Sequence, residues 1–114
     1  MPVQEIADHS TFMKILEDAG DKLVIVDFYA TWCGPCKQIA APFKKLAEDP
    51  NYAHIVFAKL DVDANGETAE ACGINCMPTF QFFHKTKKVG EFSGASKTKL
   101  VELLDNISEK IKNK

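Results

Sequence analysis

Two cysteines, Cys33 and Cys36, follow an apolar run that ends at Phe28. The helical pattern after them predicts a helix that opens at Cys33, so that both sulfurs lie on one face of its first turn, close enough to bond. Pro35 is tolerated in a first turn because the N–H groups there have no intrahelical partner to lose, and Gly34 leaves the approach to Cys33 uncrowded. The spacing therefore permits a disulfide that opens and closes.

The two cysteines are predicted to have different roles. A helix N-terminus carries about half a positive charge, which favours the thiolate of Cys33, and the thiolate is the attacking species. Once Cys33 has opened a substrate disulfide, Cys36 is placed to attack the mixed disulfide and release the reduced substrate. As a structural bridge, a ring of about four residues would constrain the unfolded chain by only about 2 kcal/mol, against about 3 kcal/mol for 15 residues. The pair therefore serves chemistry better than stability.

Two charged residues, Asp27 and Lys59, lie within predicted strands that are mostly apolar. The run Leu23–Phe28 is typical of a strand buried on both faces, and it contains Asp27. Burial should raise the pKa of this carboxyl, because an unpaired charge costs several kcal/mol in an apolar interior. The residues alone leave two interpretations open, a structural polar group or a group that takes a proton from Cys36. Lys59 lies within the predicted strand Ile55–Val62, where the simplest interpretation is an edge lysine whose ammonium reaches water.

The remaining elements alternate between strand and helix patterns. Ser10 is the predicted cap of a first helix that stops at Gly20, and Pro42 lies deep enough in the second helix to kink it. Ser96 is predicted to cap a last helix with an apolar stripe. Further strands are predicted over Val3–Ile6, Thr79–Phe83 and Val89–Phe92, and a short helix over Glu67–Ala71.

Composition narrows the classes of function. A chain of 114 residues with 46% hydrophobic content is long enough for one core, so we expect a single domain over residues 1–114. The net charge is −2 and all 14 basic residues are lysine, so no arginine fork is available for phosphate, and nucleic acid is not an expected partner. We expect neither a secretory signal nor a membrane span, and hence a cytoplasmic location. Four cysteines in a reducing compartment then indicate redox or metal chemistry.

Three motifs lie along the chain: the block Val26–Lys37 with Trp-Cys-Gly-Pro-Cys inside it, the segment Met77–Phe80, and the segment Gly90–Gly94. Together they closely resemble the thioredoxin family, particularly its animal cytosolic type, and Cys-x-x-Cys beside a βαβ pattern is itself a signature of this fold. The resemblance spans nearly the whole chain. It implies an α/β protein with the thioredoxin fold, a central mixed sheet of five strands flanked by four helices.

The resemblance also implies an activity. Thioredoxins are thiol-disulfide oxidoreductases that reduce the disulfides of client proteins, with no bound cofactor besides their own redox-active pair, here Cys33 and Cys36. That pair is recharged by thioredoxin reductase, a flavin-dependent enzyme that draws on NADPH. Pro35 favours the reducing direction, because a cation before Cys36 would stabilise the thiolate and make the pair more oxidising. By the same resemblance, Asp27 accepts the proton of Cys36, and Lys59 contacts Asp27 and tunes the redox pair.

Further positions follow from the resemblance alone. Trp32 would flank the substrate groove, and the Met77–Pro78 bond would be cis, with the Met77 backbone holding an extended substrate segment. Gly94 would complete this surface. Animal thioredoxins often carry an oxidisable cysteine at the position of Cys76, so we expect a monomer that can form a Cys76-linked dimer on oxidation.

Two other classes of function compete with a reductase. A zinc module would use Cys33, Cys36, Cys72 and Cys76 as four thiolate ligands, although Cys72 is more simply a small apolar residue of a helix. A binding subunit would use the fold as a scaffold and grip a partner without turnover. We favour the reductase and expect no metal site. The three histidines show no ligand spacing, and we expect none of them to be a catalytic base.

Overall fold

The computed structural model describes residues 2–112, so Met1 and positions 113 and 114 of the predicted domain lie outside the described residues. The strands are β1 (Gln4–Glu5), β2 (Val24–Tyr29), β3 (Val56–Asp61), β4 (Thr79–His84) and β5 (Lys87–Ser93), and the helices are α1 (His9–Asp18), α2 (Gly34–Glu48), α3 (Gly66–Ala71) and α4 (Lys97–Lys112). The five strands form one sheet in the order β1-β3-β2-β4-β5. Strands β1, β3 and β2 run parallel, and β4 is antiparallel to both of its neighbours. The predicted mixed sheet flanked by four helices is confirmed.

Each face of the sheet is covered by two helices. Helices α2 and α4 pack on one face, and α1 and α3 pack on the other. Ile25 of β2 enters the first core, while Val24, Val26 and Phe28 enter the second. Because side chains alternate along a strand, Asp27 lies on the same face as Ile25, beneath α2. A strand covered on both faces is apolar almost throughout, which is the pattern seen in the sequence.

Aromatic packing fixes α2 over the centre of the sheet. The ring of Phe43 on α2 lies 5.4 Å from the ring of Phe57 and 5.6 Å from that of Phe80, measured between centroids. All three rings are buried, and burying one such side chain stabilises a fold by about 1.5–3 kcal/mol. Pro42 lies inside this helix, and the kink expected there stays a prediction. The packing sets the position of the first turn of α2, which carries the two cysteines.

Helices α2 and α4 are the longest, with 15 and 16 residues. No helix within residues 2–112 combines the length and the apolar character needed to cross a bilayer.

The N-cap of α1 and the bounds of β1 differ from those predicted. Helix α1 is capped by Asp8 and not by Ser10, because the extended Asp8 backbone lets its carboxylate accept a hydrogen bond from the Thr11 N–H at 2.8 Å. Hydrogen bonds from Thr11 and Ser10 hold the pKa of Asp8 below its usual range. Strand β1 spans only Gln4–Glu5 of the predicted Val3–Ile6, since it lies at the edge of the sheet and pairs with β3 alone.

The hairpin between β4 and β5 closes through a two-residue turn with an unfavourable backbone. His84 pairs with Lys87, and the intervening Lys85 and Thr86 have φ values of 52° and 69°. Positive φ at both central residues suits the twist of a hairpin, as in type I′ turns. It costs a residue that carries a Cβ roughly 1–2 kcal/mol, so Asn and Gly are the usual occupants.

Replacing Thr86 by glycine should therefore stabilise the protein by about 1 kcal/mol, because glycine adopts positive φ without a Cβ clash. The measurement is the midpoint of urea unfolding for wild type and Thr86→Gly. Thr98→Gly is the matched control at an exposed helical position of α4, and it should destabilise by a few tenths of a kcal/mol. A lower midpoint for Thr86→Gly would contradict the positive φ at this position.

Candidate active site

Cys33 is the N-cap residue of α2. Its backbone is extended, with φ of −88° and ψ of 114°, and its sulfur accepts a hydrogen bond from the Cys36 N–H at 3.1 Å. The helix was predicted to open at Cys33, and it begins one residue later, at Gly34. Pro35 lies in the first turn, where no N–H is needed for the helix. The Cys33 sulfur therefore lies at the positive end of the α2 dipole.

Cys33 and Cys36 form a disulfide, so the structure shows the oxidised state. Their Cα atoms are 5.3 Å apart, within the ordinary range for disulfides. Both cysteines are buried and belong to a small apolar cluster against which Met77 packs. Gly34 and Pro35 between them are exposed. The pair itself is little exposed, with Cys33 at 6% and Cys36 at 4%.

The segment before β4 lies against this disulfide. The Met77–Pro78 peptide bond is cis, as the resemblance predicted, and the Met77 carbonyl oxygen lies 3.7 Å from the Cys33 sulfur. The Gly94 N–H donates to the Pro78 carbonyl oxygen at 2.9 Å, and its φ of 111° is one that favours glycine. The structure thus brings Met77 next to the pair, and it joins Pro78 and Gly94 to each other directly beyond it.

Trp32 is held on the surface and not in the core. It is 66% exposed, and its indole N–H donates to a carboxylate oxygen of Asp63 at 2.8 Å. Sequence reasoning placed Trp32 at this surface but missed Asp63 as its partner. The sequence could have indicated this partner, because Asp63 follows β3 and Trp32 follows β2. Residues that follow neighbouring parallel strands lie on the same side of the sheet.

Asp27 is buried beneath α2. It lines, together with Cys36, a cavity of about 530 Å³. Within residues 2–112 its Oδ1 atom has no hydrogen-bond partner. Burial raises the pKa of this carboxyl to about 7, with Lys59 lowering it and Glu5 raising it further, so the predicted direction is confirmed. A carboxyl that titrates near neutrality is suited to exchange a proton with a nearby thiol.

Within residues 2–112 Lys59 forms no ion pair with Asp27, although its charge still lowers the Asp27 pKa. The two residues are paired in register on β3 and β2, yet the Lys59 ammonium forms its ion pair with Glu5, at 3.7 Å. The Lys59 side chain is 45% exposed, so its charge stays hydrated instead of entering the interior, where desolvation is costly. The Tyr29 hydroxyl lies 3.1 and 3.2 Å from the two Glu5 carboxylate oxygens. Sequence reasoning missed both Glu5 and Tyr29.

The other two cysteines are free thiols outside the pair. Cys76 is exposed, with its sulfur 3.3 Å from the Ser93 hydroxyl and 3.7 Å from the Thr79 hydroxyl, and these hydrogen bonds lower its pKa. Cys72 is half-buried, and burial raises its pKa. Within residues 2–112 no three side chains of His, Cys, Asp or Glu are grouped to hold a metal ion. The geometry gives no support to a four-thiolate zinc site.

A redox disulfide at a helix N-cap, on this fold, defines a thiol-disulfide oxidoreductase. A sequence model of the thioredoxin family matches residues 3–106. The chain is 50% identical over 105 residues to the thioredoxin of Homo sapiens and 51% identical to that of Oryctolagus cuniculus, covering in each case 92% of this chain and 98% of the relative. The chain therefore belongs to the thioredoxin family.

Solved structures agree with the sequence comparisons. The X-ray structure of Fasciola hepatica thioredoxin matches with a TM-score of 0.88 at 38% identity, over 91% of this chain and 98% of that one. Thioredoxin f2, in a complex with ferredoxin:thioredoxin reductase, matches with a TM-score of 0.88 at 39% identity, over 94% of this chain and 96% of that one. The chain is a protein-disulfide reductase whose reacting group is the disulfide of the protein itself, and its family acts between reductases and disulfide-containing substrates.

Replacing Asp27 by asparagine should stabilise the protein above neutral pH and change little in acid. The carboxyl has an ordinary pKa of 3.8 and a pKa of about 7 in the fold, so the folded state holds the proton more tightly than the unfolded state does. Wild-type stability should then fall as the pH rises between these values, because the unfolded state binds fewer protons than the folded state there. One pKa unit corresponds to about 1.4 kcal/mol. The gap in the free energy of unfolding between wild type and Asp27→Asn should therefore be on the order of 4 kcal/mol above neutral pH.

Guanidinium unfolding of wild type and Asp27→Asn across this pH range measures the gap. Asp21→Asn is the control for loss of an exposed carboxylate, and it should show no widening near neutrality. A gap between wild type and Asp27→Asn that stays constant with pH would show that Asp27 does not titrate as a buried acid.

Proposed function

We propose that Cys33 is the nucleophile of the disulfide reductase and Cys36 the resolving thiol. The observation that carries this assignment is the Cys33 sulfur at the N-cap of α2, where it accepts the Cys36 N–H. In the reduced protein the same N–H and the positive end of the helix favour a thiolate at this sulfur. The thiolate attacks one sulfur of the substrate disulfide. The substrate S–S bond breaks, and the second substrate sulfur leaves as a thiolate that takes a proton from water.

Cys36 completes the transfer of two electrons. Its thiol gives its proton to the Asp27 carboxylate across the cavity that both residues line, and its sulfur attacks the Cys33 sulfur. The bond between Cys33 and the substrate breaks, the substrate leaves fully reduced, and the Cys33–Cys36 disulfide forms. The pKa of Asp27, raised to about 7, supports this role, because a general base works best when its pKa is near the working pH.

The substrate surface in this proposal is formed by Trp32, Met77, Pro78 and Gly94. An extended substrate segment would lie along the Met77 backbone, whose carbonyl oxygen already contacts the Cys33 sulfur at 3.7 Å. The exposed Trp32 indole, tethered by its hydrogen bond at 2.8 Å, would form the wall on the other side. This arrangement puts the substrate disulfide where Cys33 emerges from its apolar cluster.

Recycling completes the proposal. An NADPH-dependent thioredoxin reductase would reduce the Cys33–Cys36 disulfide. The solved complex of thioredoxin f2 with ferredoxin:thioredoxin reductase supports the coarser point that a protein of this fold binds a reductase. We place this chemistry in the cytoplasm, on a single domain of residues 1–114 that works as a monomer. The family match over residues 3–106 supports one domain, and a net charge of −2 without arginine gives no reason to add nucleic acid or an anionic membrane as a partner.

Reduction of insulin in the presence of NADPH and thioredoxin reductase tests the assignment. Cys33→Ser should reduce turnover to the uncatalysed background, because no attacking thiolate remains. Cys36→Ser should stop after one attack and accumulate a mixed disulfide between Cys33 and insulin, visible by mass spectrometry. Cys72→Ser is the matched control and should keep wild-type turnover. Turnover by Cys33→Ser at the wild-type rate would remove Cys33 as the nucleophile.

Oxidation by peroxide should link two molecules through Cys76, because this thiol is exposed and its pKa is lowered by its hydroxyl neighbours. Non-reducing gels of wild type, Cys76→Ser and Cys72→Ser measure the dimer. We expect the dimer band to vanish only in Cys76→Ser. Dimer bands of equal strength in wild type and Cys76→Ser would assign the link to another cysteine.

A further inference from the structure

Three charged residues lie in one row across the parallel strands. Glu5 of β1 is in register with Lys59 of β3, and Lys59 is in register with Asp27 of β2. Residues in register on neighbouring strands project from the same face of a sheet, which here is the face beneath α2. Lys59 therefore stands between two carboxylates, and it can pair closely with only one of them.

The surface carboxylate holds the lysine. The Lys59 ammonium is 3.7 Å from a Glu5 oxygen, and both side chains are about half exposed, at 45% and 49%. The Tyr29 hydroxyl anchors Glu5 from 3.1 Å, and the Lys59 ammonium lies 5.7 Å from the centroid of the same Tyr29 ring. Two contacts on Tyr29 thus keep the ion pair at the surface, while Asp27 stays buried with an oxygen that lacks a hydrogen-bond partner within residues 2–112.

From this arrangement we propose that Glu5, anchored by the Tyr29 hydroxyl, is a positioning residue that holds Lys59 away from Asp27 and so keeps Asp27 able to take up the Cys36 proton near neutrality. The inference deepens the proposed function, because it rests on Asp27 as the proton acceptor. Without Glu5 the Lys59 ammonium is free to approach Asp27. An ion pair with Lys59 would lower the pKa of Asp27 and make it a weaker base.

Other charged groups around Asp27 come from two neighbouring elements. Lys37 and Lys44 of α2 line the same cavity, and Asp61 of β3 acts on Tyr29. On the β4 side the residue in register with Asp27 is Phe80, which is apolar. None of these groups changes in the variants below, so their fields are common to every measurement.

The test is the titration of the Asp27 carboxyl, followed by carbon NMR in the oxidised protein. In Glu5→Gln the midpoint should fall by roughly half a pH unit to one pH unit, because a negative neighbour is removed and Lys59 is freed. In Lys59→Gln it should rise instead. Glu17→Gln, on α1, removes the same charge elsewhere and should leave the midpoint where it is in wild type.

A double variant separates positioning from simple charge repulsion. If Glu5 acts by holding Lys59, most of the effect of Glu5→Gln should disappear when Lys59 is already glutamine. Tyr29→Phe keeps the ring and removes the anchoring hydroxyl, so it should shift the midpoint in the same direction as Glu5→Gln, by less. An unchanged or higher midpoint in Glu5→Gln, or an equal effect with and without Lys59, would overturn the inference.

The kinetic readout distinguishes this inference from the proposed function. The rate at which Cys36 resolves a mixed disulfide should show its pH dependence displaced to lower pH in Glu5→Gln, by the shift that NMR reports. If Asp27→Asn resolved the mixed disulfide as fast as wild type, the role of Asp27 would fail. The titration result would still decide whether Glu5 positions Lys59.

Discussion

The chemistry of this protein depends on one hydrogen bond, from the Cys36 N–H to the Cys33 sulfur at the first turn of α2. The first N–H groups of any helix lack partners within the helix, and here one of them finds a sulfur. In the proposed mechanism the same N–H stabilises negative charge on the reduced Cys33 sulfur, which is what a nucleophilic thiolate requires. Packing of α2 on the sheet, which includes the Phe43 ring against Phe57 and Phe80, holds this helix over β2. Core packing therefore contributes to the reactivity of the site as well as to the stability of the fold.

Strand order explains why residues far apart in the chain meet at this point. The parallel strands β2 and β3 have their C-terminal ends on the same side of the sheet, and Cys33 and Asp63 follow these ends. Strand β4 is antiparallel to β2, so its N-terminal end lies beside the C-terminal end of β2. The cis Met77–Pro78 bond directly precedes β4. Strand β5 is antiparallel to β4, so its C-terminal end lies beside the start of β4, and Gly94 follows β5 there. The site is therefore formed by residues at neighbouring ends of four strands: the C-terminal ends of β2, β3 and β5 and the N-terminal end of β4.

Sequence alone predicted the features that depend on short-range pattern. The apolar run of β2, the first-turn cysteines of α2 and the anomaly of Asp27 all follow from periodicity and polarity along a few residues. The Asp8 cap was missed because Asp8 and Ser10, two positions apart, compete for one helix end, and only backbone geometry decides between them. The partner of Lys59 was missed because a lysine between two carboxylates is placed by hydration and by Tyr29, neither of which a linear pattern records.

The most direct test of the central claim is the rate at which iodoacetamide labels each cysteine of the fully reduced protein near neutral pH, followed by peptide mass spectrometry. The α2 N-cap should make Cys33 the fastest cysteine to react, well ahead of the half-buried Cys72. Labelling of Cys33 at the same rate as Cys72 would mean that the helix end does not stabilise a thiolate there, and it would contradict the account.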